Sequence, residues 1–156
     1  MRLAQSELFA DLTDGEAKAI ESLGVPIRLV GGDVLFDLGG VADSLYLVVQ
    51  GRVALTMPIT VRGREQDVLV EERGPGQTVG WSALIPPHRF TLKASAPLGT
   101  EVLAIPRTAL SAHLEANPAV GYRVARNVAS VIGQRLQVVQ AMWLREMQRV
   151  VTLTMP

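Results

Sequence analysis

The chain has 156 residues, with fifteen Lys and Arg against fifteen Asp and Glu. One domain with its own core fits that length, and a net charge of zero excludes a polybasic grip on nucleic acid or anionic membrane. Cysteine is absent and histidine occurs only at His88 and His113, which excludes disulfides, thiolate metal sites, cysteine nucleophiles and a multi-histidine metal centre within one chain. With 48% hydrophobic and 19% charged residues the chain is not disordered. It has no apolar run of membrane-spanning length and no signal-like stretch at Met1–Glu7, so the expected location is the cytoplasm.

At the N-terminus two short helices are expected, over about 3–10 and 14–23. Leu8, Phe9 and Leu12 form an apolar turn, and Thr13-Asp14-Gly15-Glu16 has the Thr-x-x-Glu spacing of a capping box. Ala17, Ile20 and Leu23 then recur at helical spacing, with Gly24 where a left-handed C-cap belongs.

From about 26 to 105 the pattern changes. Nine of the fourteen glycines lie between Gly31 and Gly80 and separate short Val- and Leu-rich runs. Strands are expected at 27–30, 34–36, 44–49, 52–57, 68–72, 90–94 and 102–105, with Arg62-Gly63-Arg64 as a hairpin tip. Short strands at regular spacing imply an antiparallel sandwich or barrel.

After Pro106 helix returns. Leu110 and Leu114 share a face, and Asn117-Pro118 is read as N-cap and first residue of a further helix running to about Val151. Along that helix Ala129, Ile132, Leu136, Val139 and Trp143 make one apolar stripe. Val124, Val128, Val131, Val138 and Met142 make a second, interrupted at Arg135. One stripe covers the β-region, whereas the other needs a partner, so a homodimer through this helix is expected. Residues 119–156 also hold five arginines against Glu146 alone, which reads as a solvated face or as a basic arm for DNA or an acidic partner.

Short helices, a glycine-punctuated β-roll and a long terminal helix together resemble the cyclic-nucleotide-binding domain of the Crp/Fnr superfamily. The resemblance rests on Leu8–Glu16, on Gly32–Val53 and on Gly74-Pro75-Gly76-Gln77-Thr78-Val79-Gly80, and covers about residues 8–150. It implies an α+β, mainly β fold: an antiparallel double-stranded β-helix or jelly roll with short N-terminal helices over residues 1–118, and a long dimerisation helix over 119–156. The family's phosphate-binding cassette reads Gly-Glu-x-Ala-Leu, then a short helix, then Arg-x-Ala. Backbone amides and the Arg hold the cyclic phosphate, and the Glu accepts from the ribose hydroxyl.

Here the segment is Gly80-Trp81-Ser82-Ala83-Leu84-Ile85-Pro86-Pro87-His88-Arg89-Phe90-Thr91. Gly80, Ala83 and Leu84 match, while Trp81 replaces the Glu. His88 falls at the usual Arg position and Arg89 one residue later, and one residue in a strand reverses the side chain. Either of the pair is open as the phosphate partner. Trp81 is a plug in the pocket, a stacking wall for another planar ligand, or ordinary packing. Ser82 caps the short helix, binds an anion, or does both. The candidate ligand-binding residues are therefore Gly80, Trp81, Ser82, Ala83, Leu84, His88 and Arg89.

The resemblance implies a non-catalytic small-molecule-sensing or regulatory module with altered or lost cAMP specificity. Its ligand would be a cyclic nucleotide or another anionic small molecule, with no resident cofactor and no metal. Two alternatives stand beside it: a dimeric protein-interaction scaffold with a filled pocket, and a Crp/Fnr-type transcription regulator without its DNA-reading domain. No winged helix-turn-helix follows Pro156, so direct DNA binding by this chain is not expected. Hydrolase, metalloprotease and P-loop motifs are all missing, so no enzyme activity is expected.

Overall fold

A computed structural model describes residues 6–156. Thr13 and Glu16 form the expected capping box: the Thr13 amide donates to Glu16 Oε1 (2.9 Å) and the Glu16 amide to Thr13 Oγ1 (3.2 Å). It opens α1 (Asp14–Glu21), which buries Ala17 and Ile20. The expected helix over 3–10 is instead a single 3-10 turn, Glu7–Phe9, started by Ser6; residues 3–5 lie outside the described residues. Asp11 takes a positive φ of 70° and turns the chain into the capping box, which stops helix from continuing. Gly24 is not a left-handed cap either. A Cβ there would lie 2.4 Å from Leu103 Cγ, so it is close packing against the roll that requires glycine.

Eight strands follow: β1 (Val25–Leu29), β2 (Val34–Phe36), β3 (Ser44–Gln50), β4 (Val53–Val61), β5 (Arg64–Arg73), β6 (Thr78–Val79), β7 (Lys93–Ser95) and β8 (Thr100–Pro106). They form two four-stranded antiparallel sheets, ordered β1-β8-β3-β6 and β2-β7-β4-β5. The inward residues, among them Leu45, Leu47, Val48, Val53, Val102 and Ile105, make one core with Leu8, Phe9 and Ile20. Two expectations about strands need correcting. The β4–β5 hairpin runs well past 52–57 and 68–72, because its outer part projects into solvent and carries no core-facing alternation. Its tip is Arg62-Gly63, both at positive φ, as a tight two-residue hairpin requires. The strand expected at 90–94 is confined to Lys93–Ser95. Phe90 instead pairs with the 39–40 turn: its amide donates to Gly40 O and its carbonyl accepts from Gly39 N.

Two helices close the chain, α2 (Arg107–Ala116) and α3 (Pro118–Thr154). Pro118 starts α3 as expected, but the Asn117 side chain does not cap it. Asn117 Nδ2 donates to His113 O (2.9 Å), finishing α2. At 37 residues α3 is about 55 Å long. Val120, Val124 and Val128 are buried on the core, and Val131 and Ile132 pack at its edge. From Gly133 onward no residue is buried. Among the described residues no helix is long and apolar enough to cross a membrane.

Candidate functional site

The segment nominated by the sequence is a turn between β6 and β7. Gly80 opens it at φ 85°, and a Cβ there would also stand 3.1 Å from the Phe90 ring, so both conformation and space call for glycine. Trp81–Ala83 form one 3-10 turn in which the amides of Ala83 and Leu84 already donate to Gly80 O and Trp81 O (3.0 and 2.9 Å). A turn of three residues has little dipole, and two of the amides that would face a phosphate are spent within it. Ser82 and Ala83 are buried, and Trp81 and Leu84 pack half-buried against the core.

The two candidates for the phosphate partner point elsewhere. His88 follows the cis Pro86-Pro87 bond with φ 57°, and its Nδ1 lies 3.1 Å from Ser82 O. Arg89 is exposed on the outside of the roll and donates from Nη1 to Gly39 O (3.3 Å). The structure thus gathers Gly80, Trp81, Ser82, Ala83 and Leu84 on one turn, ties His88 to its carbonyl, and turns Arg89 away.

Behind the turn lies a cavity of about 20 Å³, lined by Phe36, Arg73, Thr78, Trp81, Ser82, Phe90, Val131 and Arg135 among others. That volume accommodates about one water, whereas small-molecule sites measure roughly 300–1,000 Å³. Two aromatic rings of its lining are stacked, Phe36 on Phe90 with centroids 3.6 Å apart, and Phe36 also stacks on Tyr46 at 5.9 Å. The residues present do not fit a cyclic nucleotide held by the family's chemistry. At the position of the family's ribose acceptor stands the Trp81 indole, which can only donate; Arg89 faces solvent, and the cavity behind the turn holds about one water.

A charged cluster that the sequence reading missed lies at the mouth of this cavity. Arg73, at the end of β5, has a side chain only 7% exposed. It donates from Nε to Thr78 O (3.1 Å), pairs through Nη2 with Glu7, and pairs through Nη1 with Glu71 Oε1 (2.8 Å). The other Glu71 oxygen takes Nη2 of Arg135 from α3 (2.7 Å). Burial, and then the charge of Arg135, bring the Arg73 guanidinium down to about 10, so it remains charged at neutral pH. Two signals for this cluster were present in the sequence. Glu71 and Arg73 share one face of a strand by their spacing of two, and Arg135 interrupts an apolar stripe.

Outside the cluster, β5 and α3 flank a groove of about 330 Å³ lined by Val70, Val131, Val138, Val139 and Met142 together with Glu7, Glu71, Arg73, Gln134 and Arg135.

Two antiparallel sheets rolled around a Gly-initiated turn, with a long helix lying across the mouth, define a β-roll regulatory domain. Comparison with known proteins agrees. The sequence profile of the cyclic nucleotide-binding domain matches residues 26–117. A protein from Geobacter metallireducens, provisionally described as a cyclic nucleotide-binding protein, is 31% identical and superposes with a TM-score of 0.66 over 83% of this chain and 91% of its own. The N-terminal domain of a transcriptional regulator from Streptomyces coelicolor is 28% identical (TM-score 0.73, covering 88% and 94%). The catabolite activator protein of Thermus thermophilus is 27% identical (TM-score 0.75), and the match covers 91% of this chain but 63% of the activator. No curated protein sequence matches. The chain belongs to the cyclic nucleotide-binding domain family, on its Crp/Fnr side.

Proposed function

We propose that this chain is a non-catalytic, cytoplasmic regulatory module that has lost the family's recognition of cAMP and acts as a homodimer through α3. The observation that carries the loss of cAMP is Trp81 at the acidic position, beside a cavity of about 20 Å³. A ribose hydroxyl buried there without its acceptor costs about 1–3 kcal/mol, and the phosphate gains no compensating charge from Arg89. Isothermal calorimetry with cAMP and cGMP is expected to register no binding at micromolar nucleotide. Micromolar or tighter affinity for cAMP overturns the reading.

The dimer is supported by the outer half of α3. Leu136, Val139, Met142, Trp143, Met147 and Val150 are each between 42% and 61% exposed. Each such side chain buried contributes about 1.5–3 kcal/mol, enough for a two-fold pairing of the helix. Val139→Glu combined with Met142→Glu is expected to give a folded monomer in analytical ultracentrifugation, against a dimer for the unaltered chain. A monomeric unaltered chain at micromolar concentration refutes it.

A further inference from the structure

We propose that Arg73 and Arg135 form a clamp for a compact oxyanion, the carboxylate or phosphate head of a small ligand, and that Glu71 occupies this clamp as a built-in competitor. The inference rests on the regulatory reading above and adds a ligand chemistry to it. Two guanidinium groups, one on the roll and one on α3, converge on a single carboxylate, and each donates to a different oxygen (2.8 and 2.7 Å). That is how arginine recognises a carboxylate or phosphate from any source, intramolecular or not.

The three members differ in freedom. Arg73 is 7% exposed and is pinned at Nε by Thr78 O and at Nη2 by Glu7. Arg135 is 21% exposed and is carried by a continuous helix, whereas Glu71 is 36% exposed. Glu71 also adjoins a break in its ladder. Leu55 pairs with Glu71 and Thr56 with Leu69, leaving Val70 as the extra residue of a β-bulge. Rotating the Glu71 carboxylate into water therefore disturbs little backbone pairing, while Thr78 O and Glu7 still hold Arg73 in place. Glu7 remains on Nη2 of Arg73 and Thr78 O on its Nε, so the donor that Glu71 would vacate on Arg73 is Nη1.

Access and consequence follow from the same positions. Arg73, Val131 and Arg135 line both the inner cavity and the 330 Å³ groove, so the pair stands between them, beside the Val139 and Met142 face proposed for the dimer. Glu71 is also a direct tie from the β4–β5 hairpin to α3. An anion that displaces it replaces this direct tie by a bridge from Arg73 on β5 to Arg135 on α3, which shifts the population of hairpin positions relative to the helix.

The test is calorimetric titration of the full chain with inorganic phosphate, and separately with acetate, at constant ionic strength. Glu71→Ala is expected to bind at least one of the two at least tenfold more tightly than the unaltered chain, and the tighter of the two identifies the head group. Adding Arg135→Gln is expected to reverse the gain by tenfold or more; Arg135 lies outside the 80–89 turn, so an anion bound at that turn would be unaffected. No gain with Glu71→Ala for either anion, or a gain that survives Arg135→Gln, overturns the clamp. Should Glu71→Ala fail to fold by circular dichroism, phosphate at tens of millimolar is compared on the unaltered chain and Arg135→Gln. Equal affinities there overturn it as well. Tight cAMP binding would sink the functional reading whatever phosphate does, whereas absent cAMP binding with no Glu71→Ala effect sinks the clamp alone.

Discussion

Arg89 and Arg73 are sixteen positions apart in the sequence and opposite in circumstance. Arg89 sits in the turn that the family uses for phosphate, yet its side chain is exposed and reaches a backbone carbonyl on the outer surface. Arg73 sits in no recognised motif, yet it is buried, triply bonded and faces the cavity. In this chain the buried arginine lies at the edge between β5 and α3, and the arginine of the cassette segment lies in solvent. A motif position specifies where a side chain is attached, while burial and partners decide whether it acts.

The largest test of that contrast is stability. Arg73→Ala leaves Glu7 and Glu71 facing an emptied, mostly dry position, so a loss of about 3 kcal/mol is expected, at the low end for a broken buried pair because both carboxylates still reach water. Arg89→Ala is expected to change stability by no more than about 0.5 kcal/mol, as ordinary surface substitutions do. Urea unfolding of both variants checks this; similar losses would erase the distinction between the two arginines.

Next in size is the contrast along α3. Val128→Ala removes a methyl pair at a position 1% exposed, and a loss of about 1.5–2 kcal/mol is expected. Val150→Ala in the Val139→Glu, Met142→Glu monomer should lose less than about 0.5 kcal/mol, since Val150 is 50% exposed. Equal losses in thermal unfolding would mean that the outer helix packs on its own roll.

Gly80→Ala is expected to cost about 1–2 kcal/mol for a left-handed conformation alone, with the Phe90 contact adding to it. A neutral result would show that the turn is free to rearrange, and hence that the closed cavity opens easily.

The smallest effect is a pH dependence at the other end of α3. Glu16 receives the Arg123 guanidinium (Nη2 to Oε2, 2.5 Å) and the Thr13 amide, which hold its carboxyl down from 4.5 to about 2. A depressed folded pKa contributes stability that is complete above 4.5 and is lost as pH falls from 4.5 towards 2. Glu16→Gln should flatten that part of the unfolding profile while leaving the profile between pH 6 and 8 parallel to that of the unaltered chain. An unchanged acid limb would remove the Arg123 pair from the account.

Much of this molecule is determined by local chemistry and was legible as such. The capping box at Thr13 and Glu16, the start of α3 at Pro118 and the Arg62-Gly63 turn each depend on backbone geometry within four residues, which residue type alone specifies. The roll was legible because its inner strands alternate against a core and its glycines mark the turns. Where a segment has no core to face, periodicity carries no information, and the outer β4–β5 hairpin was read short. Only the tertiary structure decided the rest. Whether Trp81 fills a cavity, which way Arg89 turns, and that Glu71 on β5 meets Arg135 on α3 across 64 residues all depend on contacts between distant segments. Burial by those segments raises the cost of an unpaired charge, which is why Arg73 is held by its carboxylates while Arg89, in water, stays a surface residue.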